Sequence, residues 1–207
     1  MSDKIKLVEK YIGSAYEAIV FLNQSFYELS ILNQNRKGYE LEFLKDMFFI
    51  KYHYAMKGVF ILEYCKLLET DTTDGSENIA SLAKLNWKIK SNNDKTHIRY
   101  NDVSVSLLTL LNTDFYKKIK KLRDKKVAHS GNHFPTFNIP QFSDEELADA
   151  KLHVEILNAV FKTCTEHFQV EYPIHNEDST ERFITEYSNY WEEFDKNNEN
   201  SIFNRKT

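Results

Sequence analysis

The stretch that decides the fold is residues 5–29, IKLVEKYIGSAYEAIVFLNQSFYEL. Its apolar residues recur every three or four positions, at Ile5, Val8, Ile12, Ala15, Ile19, Leu22, Phe26 and Leu29. This is the period of a helix with one buried face, because an α-helix completes a turn in about 3.6 residues. The stretch therefore predicts a long first helix, from about Ser2 to Leu32.

Polar breaks divide the rest of the chain into further helical segments. Turn-forming residues cluster at 33–38, 71–75, 91–96 and 132–142. Ser76 is an expected helix cap, and Asp102 or Ser104 starts another apolar run. Asn112-Thr113-Asp114 offers a further cap, and Ser143 with Glu146 has the spacing of a capping box. The helices predicted after the first span about 39–69, 76–88, 103–111, 114–130, 144–170 and 179–194.

The composition agrees with this helical interpretation. The chain has 207 residues, of which 42% are hydrophobic and 28% are charged, as in a globular domain. Only 5 glycines and 3 prolines are present, which favours long helices over a sheet with many turns. We predict one all-α domain over residues 1–207, an antiparallel bundle of four to five long helices plus a short helix. Its polar tail, from about 195 or 196, is expected to fray.

The sequence also carries expectations about location. The N-terminus lacks the apolar core of a secretory signal, and charged residues interrupt the most apolar stretch, 47–68. We therefore expect a cytoplasmic protein with no membrane contact. Cys65 and Cys164 lie on apolar segments without a second cysteine nearby, so they are expected to be buried thiols rather than zinc ligands.

Charge is concentrated in one place. Residues 117–126 carry seven basic side chains and one acid, which leaves 20 basic and 30 acidic residues in the rest of the chain. The protein is thus predicted to be an acidic body with one basic stripe, which can attract an anion although the net charge is −4. A solvated helix face is the alternative interpretation of the same charges.

The stripe ends in a segment whose residue types suit phosphate chemistry, Arg123-Asp-Lys-Lys-Val-Ala-His129. Arginine binds phosphate through two parallel hydrogen bonds, and histidine exchanges protons near neutral pH. Cleavage of RNA without a metal needs a base for the ribose 2′-hydroxyl, a cation for the phosphorane and an acid for the leaving oxygen. Arg123 and His129 are therefore the predicted catalytic pair.

One regular helix does not bring these two side chains together. Six helical residues turn the chain by about 600°, so Arg123 and His129 point roughly 120° apart. Either the helix loosens near Ala128, as Gly131 indicates, or two subunits contribute to one cleft. In the second case a two-fold dimer places two arginines and two histidines around the same site.

Arg123-Asp124, four further residues and Ala128-His129 resemble the motif of HEPN domains (higher eukaryotes and prokaryotes nucleotide-binding). Within that family the chain looks most like the abortive-infection U-type branch. The resemblance implies a dimerising helical bundle and metal-independent endoribonuclease activity, as in toxins and phage-defence proteins, with an antitoxin protein as a further partner. It carries over Arg123 and His129 as catalytic and Asp124 as the polar orienting residue.

The resemblance has limits along the chain. Its specific motif covers about seven residues. Toxins silenced by adenylylation carry a tyrosine two residues after the histidine, where this chain has Gly131, so that regulation is not expected. Many members are inactive scaffolds, since a fold does not guarantee a reaction.

Other residues have weaker assignments. The side chains expected to contact RNA are Lys120, Lys121, Lys125, Lys126 and His133. The spacing of His129 and His133 is compatible with a metal, but no third ligand is near in sequence, so we expect no metal and no cofactor. Most aromatic residues and the helical histidines (His53, His153, His167) are interpreted as structural.

Three functions remain open on the sequence. The first is a dimeric, metal-independent ribonuclease of the toxin or phage-defence type. The second is a module of the same fold that binds RNA or a protein without catalysis. The third is a helical interaction protein whose basic stripe meets an acidic protein.

Overall fold

The computed structural model describes residues 3–71, 78–92, 99–124, 142–168, 170 and 179–197, and this part of the chain is helical with no strand. Its eight helices are α1 (Asp3–Leu32), α2 (Gly38–Leu44), α3 (Met47–Leu67), α4 (Leu82–Asn92), α5 (Tyr100–Leu111), α6 (Asp114–Leu122), α7 (Asp144–Thr165) and α8 (Ser179–Asn197). The predicted all-α bundle is confirmed. Four helices are long, with 30, 21, 22 and 19 residues in α1, α3, α7 and α8.

The main core forms where α1 packs along α3 and both meet the remaining helices. α1 also contacts α4 and α7, while α3 contacts α6. The predicted stripe of α1 is buried from Val8 to Leu29, except that Phe26 is only partly covered. Leu22 of α1, Phe60 of α3 and Phe161 of α7 are completely buried. Removal of this apolar surface from water is the main stabilising contribution to the bundle.

A second, smaller core joins α2 and α8 to the end of α1 and the start of α3. Ile31, Phe49 and Ile184 form its centre. Beside it, the Arg36 side chain is only 4% exposed and pairs with Glu40 at 3.1 Å and with Glu181 of α8. A buried guanidinium requires such partners, because an unpaired buried charge is costly. Arg36 therefore ties α8 to the segment between α1 and α2.

The predicted continuous helix over 39–69 is wrong, because the chain breaks between α2 and α3. The Asp46 carboxylate accepts a hydrogen bond from the Phe48 backbone N–H at 2.7 Å and so starts a new helix. An aspartate in this position satisfies an otherwise unpaired N–H of the first turn. Apolar residues on both sides of Asp46 conceal this signal in the sequence.

Two predicted caps are confirmed. Thr113 accepts from the Tyr116 N–H at 3.1 Å and begins α6. Ser143 and Glu146 bond reciprocally as a capping box at the start of α7. The predicted Ser76 cap lies outside the described residues, and α4 begins instead after Ser81, whose hydroxyl accepts from the Lys84 N–H at 3.3 Å.

Several helix ends differ from the prediction. α4 continues to Asn92 and α5 begins at Tyr100, whereas α7 ends at Thr165 rather than near Val170. α8 continues to Asn197, past the predicted start of the frayed tail. The reason is that Asp195 is buried and accepts a hydrogen bond from the Tyr39 hydroxyl at 2.6 Å, which fixes this end of α8 against α2.

No helix in the described ranges combines the length and the apolar composition that a membrane crossing requires.

An unusual group in the main core is the ammonium of Lys57. Its side chain is completely buried, and among the described residues its Nζ has no hydrogen-bond partner. The Nζ atom lies 4.2 Å from the ring centroid of Phe142, a cation–π contact that compensates for part of the lost hydration. Burial and the nearby Lys118 lower the pKa of Lys57 to about 8.

Lys57→Met should raise the free energy of unfolding at pH 7 by about 1–3 kcal/mol, because it removes a buried cation without opening a cavity. In the wild type the folded chain releases this proton near pH 8 and the unfolded chain near pH 10.5. Its stability should therefore rise with pH between these values, and this rise should be absent in Lys57→Met.

Urea unfolding at a series of pH values measures both effects. Lys51→Met, at an exposed position of the same helix, is the matched control and should change the stability little. Loss of stability in Lys57→Met at pH 7 would contradict this account.

Candidate functional site

The basic stripe lies on α6, which is held by its apolar face. Phe115 and Ile119 are buried, four residues apart, and so anchor one side of the helix. Of the stripe's four lysines within α6, Lys117 pairs with Asp114 at 3.0 Å and Lys118 pairs with Glu146 of α7. Lys120 and Lys121 are exposed and form no ion pair within the described part of the chain. These two ammonium groups thus carry the outward positive charge of the helix.

Arg123 closes α6 and is fixed by two carboxylates. Its Nε and Nη2 atoms each lie 2.8 Å from Oδ1 of Asp124, and its Nη1 lies 3.6 Å from Oε2 of Glu69. The side chain is 25% exposed, so the guanidinium remains accessible from solvent. Burial lowers the pKa of Arg123, but the hydrogen bond with Asp124 and the surrounding negative charges more than offset it and raise the pKa. Arg123 is therefore a permanent, oriented cation.

Glu69 is a part of this site that the sequence did not predict. It follows the end of α3, and the α3–α6 contact brings it to Arg123. Nothing in the local pattern around Glu69 distinguishes it from a solvated acid. Glu69 lies beside the Arg123 guanidinium only because α6 packs against α3.

A thiol and a phenol border the site from the buried side. Burial raises the pKa of Cys65 to about 12 and also raises the pKa of Tyr116. Both groups therefore stay protonated at neutral pH, and Cys65 is not an activated nucleophile. Cys65 and Cys164 are free and buried, as expected from the sequence.

The four other residues predicted for this site, Lys125, Lys126, His129 and His133, lie outside the described residues, as does Gly131. The distance between Arg123 and His129 is therefore not defined, and both arrangements considered from the sequence stay open. The backbone at Arg123 and Asp124 is π-helical, so the helix already widens before Ala128. Such turns occur frequently at functional sites.

Two of the three histidines predicted to be structural are buried in helices. His53 contacts the Asn33 amide at 3.0 Å, and burial together with Lys57 lowers its pKa to about 4. His153 contacts the Tyr64 hydroxyl at 2.6 Å, and burial lowers its pKa. Both are neutral at pH 7. His167, in contrast, lies in a turn after α7 and is largely exposed beside Glu166.

The described residues contain no group of three or more His, Cys, Asp or Glu side chains that could hold a metal ion. No protein-family model matches the chain, and no curated protein and no solved structure matches it either. The chemistry of the site thus follows from its own residues: a guanidinium fixed by Asp124 at the end of a helix that exposes Lys120 and Lys121.

Both thiols should be unreactive in the folded protein because they are buried and their pKa values are raised. At pH 8 we expect Ellman's reagent to label Cys65 and Cys164 at least about a hundredfold more slowly than a free thiol. In guanidinium chloride both should react fully, which serves as the control. Rapid labelling of one thiol in the native protein would show that a thiolate is available there.

Proposed function

We propose that this chain is a metal-independent endoribonuclease of the HEPN type that acts in the cytoplasm as a toxin or in phage defence. The observation that carries the proposal is Arg123, a partly exposed guanidinium held by Asp124 at the end of a basic helix. The contact of Asp124 with Nε and Nη2 supports the orienting role that the HEPN resemblance implies for this residue.

In the proposed reaction the ribose 2′-oxygen attacks the adjacent phosphorus, and the bond to the 5′-oxygen breaks. His129 of one subunit takes the proton of the 2′-hydroxyl, His129 of the partner subunit gives a proton to the leaving oxygen, and Arg123 stabilises the negative charge of the phosphorane. The products are a 2′,3′-cyclic phosphate and a 5′-hydroxyl. Lys120 and Lys121, together with Lys125, Lys126 and His133, hold the RNA backbone.

A two-fold dimer is part of this proposal. Because Arg123 and His129 diverge on a regular helix, a pair of subunits supplies the catalytic set more readily than one helix does. The proposed partners are therefore RNA, a second copy of the chain and an antitoxin protein that restrains the activity.

The alternative function is a module of the same fold that binds RNA or a protein without cutting RNA. The observation that favours it is Glu69, whose carboxylate lies 3.6 Å from Nη1 of Arg123. A phosphate has to compete with Glu69 and Asp124 for the same guanidinium, which lowers its affinity there. An internal ion pair of this kind also occurs in purely structural arginines.

Wild-type protein should cleave single-stranded RNA in EDTA and leave 2′,3′-cyclic phosphate ends. Arg123→Ala and His129→Ala should each lower kcat by about 100-fold or more, because each removes a group that acts in the transition state. Gel analysis of labelled RNA, with enzymatic identification of the ends, measures both effects.

Arg182→Ala is the matched control, since Arg182 of α8 is exposed and also pairs with a carboxylate, Glu186, at 2.6 Å. Asp124→Asn should keep most of the activity, because the amide oxygen still accepts from Arg123, whereas Asp124→Ala should lose it. Unchanged cleavage in both Arg123→Ala and His129→Ala would disprove the assignment. RNA binding without any product would favour the non-catalytic module.

The affinity for RNA should depend on salt through the exposed lysines. Lys120→Ala/Lys121→Ala should reduce the slope of log K against log salt concentration by about 1.4, the value for two contacts to a single strand. Lys45→Ala/Lys196→Ala removes the same charge from the residue after α2 and from α8, where each lysine has an ion pair, and should leave the slope unchanged. Fluorescence anisotropy between 50 and 200 mM salt provides the measurement; equal slopes in both double variants would place the RNA elsewhere.

A further inference from the structure

A groove lies at the opposite end of α3 from Arg123, between α2, the first turn of α3 and α8. Its volume is about 430 Å³, within the range of pockets that hold small ligands. Seven aromatic side chains line it: Tyr39, Phe43, Phe48, Phe49, Phe183, Tyr187 and Trp191. The sequence interpretation placed most aromatic residues in the core, so this surface was not predicted.

The rings form a connected cluster around Phe43. Its ring centroid lies 4.4 Å from those of Phe49 and Tyr187 and 5.9 Å from that of Phe183. Only part of this cluster is covered, since Phe48 is 64% and Phe183 is 51% exposed. The groove therefore presents aromatic faces to solvent, and such faces attract cations as well as apolar groups.

The charged groups that line the groove are both acidic. Glu42 and Asp46 stand at its edge, and Lys45 pairs with Glu42 at 2.6 Å while pointing to solvent with 58% of its side chain exposed. Tyr39, which also lines the groove, donates to Oδ2 of the buried Asp195, whose Oδ1 has no hydrogen-bond partner within the described residues. The charged side chains that line the groove thus suit a cation better than a phosphate.

A buried hydroxyl in the groove also lacks a partner. Ser188 of α8 is 6% exposed and lines the groove, and its Oγ makes no hydrogen bond within the chain as described. A buried polar atom without a partner costs free energy, and such atoms are uncommon in folded proteins. A ligand with a hydrogen-bond donor would satisfy this oxygen.

We propose that this groove binds an arginine or lysine side chain, with neighbouring apolar side chains, from a polypeptide partner. The cation lies over the aromatic faces near the Asp46 carboxylate, and Ser188 accepts a hydrogen bond. A second copy of this chain fits less well, because a two-fold contact brings the same carboxylates of both copies together. The proposal is independent of ribonuclease activity.

The two tryptophans allow a sharp test. Trp191 lines the groove, whereas Trp87 lies on α4, where Lys88 Nζ is 4.8 Å from its ring centroid. In protein labelled with 5-fluorotryptophan, the peptide Ac-Leu-Arg-Leu-amide should shift the ¹⁹F signal of Trp191 saturably and leave that of Trp87 in place. Trp191→Phe assigns the signals. Ac-Leu-citrulline-Leu-amide, which has the same shape without the charge, should bind about tenfold more weakly.

Two variants distinguish a loss of peptide binding from a loss of folding. Asp46→Asn keeps a good helix cap but removes the charge, and should weaken the arginine peptide about fivefold. Ser188→Ala should weaken it by a similar factor without lowering the melting temperature, because its hydroxyl has no hydrogen-bond partner among the described residues of the unbound protein. Retained affinity in both variants would overturn the proposal.

Three further results would also overturn it. Equal affinity for the arginine and citrulline peptides would show that the groove recognises apolar groups alone. No shift of Trp191, or an equal shift of Trp87, would show that the groove binds neither peptide. A shift of Trp191 with protein concentration alone, together with dimer formation in sedimentation, would show that a second copy covers the groove.

Discussion

The packing of α1 along α3 is the contact on which the other helices depend. The apolar stripe of α1 covers one side of α3, and α6 contacts α3 as well. As a result α3 is central. Most of its polar side chains that point inward are removed from water and therefore have to interact with other groups inside the core. His53 and Tyr64 do so through Asn33 and His153. Within the described residues, Lys57 has no hydrogen-bond partner, and its ammonium lies over the ring of Phe142.

This central position also explains why both candidate sites involve α3. Asp46 starts the helix and stands at the edge of the aromatic groove, while Glu69 follows its end and reaches Arg123. The two sites carry opposite charges, since acids surround the groove and lysines extend from α6. An acidic body with a basic stripe, inferred from composition, thus corresponds to two separate surfaces rather than to one mixed surface.

The sequence predicts those structural features that depend on residues close together along the chain. The period of α1, the Thr113 cap and the capping box at Ser143 are local signals, and the structure contains all three. The helix break at Asp46 was not predicted, because apolar residues on most sides of α3 leave no clear hydrophobic period around it. A strong cap is easily overlooked where the pattern itself is weak.

What the sequence does not predict depends on contacts between distant segments. Arg123 is a candidate from its residue type, but its partner Glu69 is identified only by the packing of α6 on α3. Aromatic spacing likewise predicts a buried face without saying what buries it. Phe60 and Phe161 lie inside the main core, whereas Phe48 and Phe183 belong to an apolar surface that remains open to solvent.

Because α3 is one continuous helix of 21 residues, it separates the groove from the Arg123 end by about 30 Å. The rigid helix keeps the spacing between these two sites constant. If both proposals hold, a protein bound at the groove and an RNA bound at α6 are carried by the same molecule. The bundle then holds the two ligands near each other. This raises the local concentration of each ligand around the other without any change in the shape of the bundle.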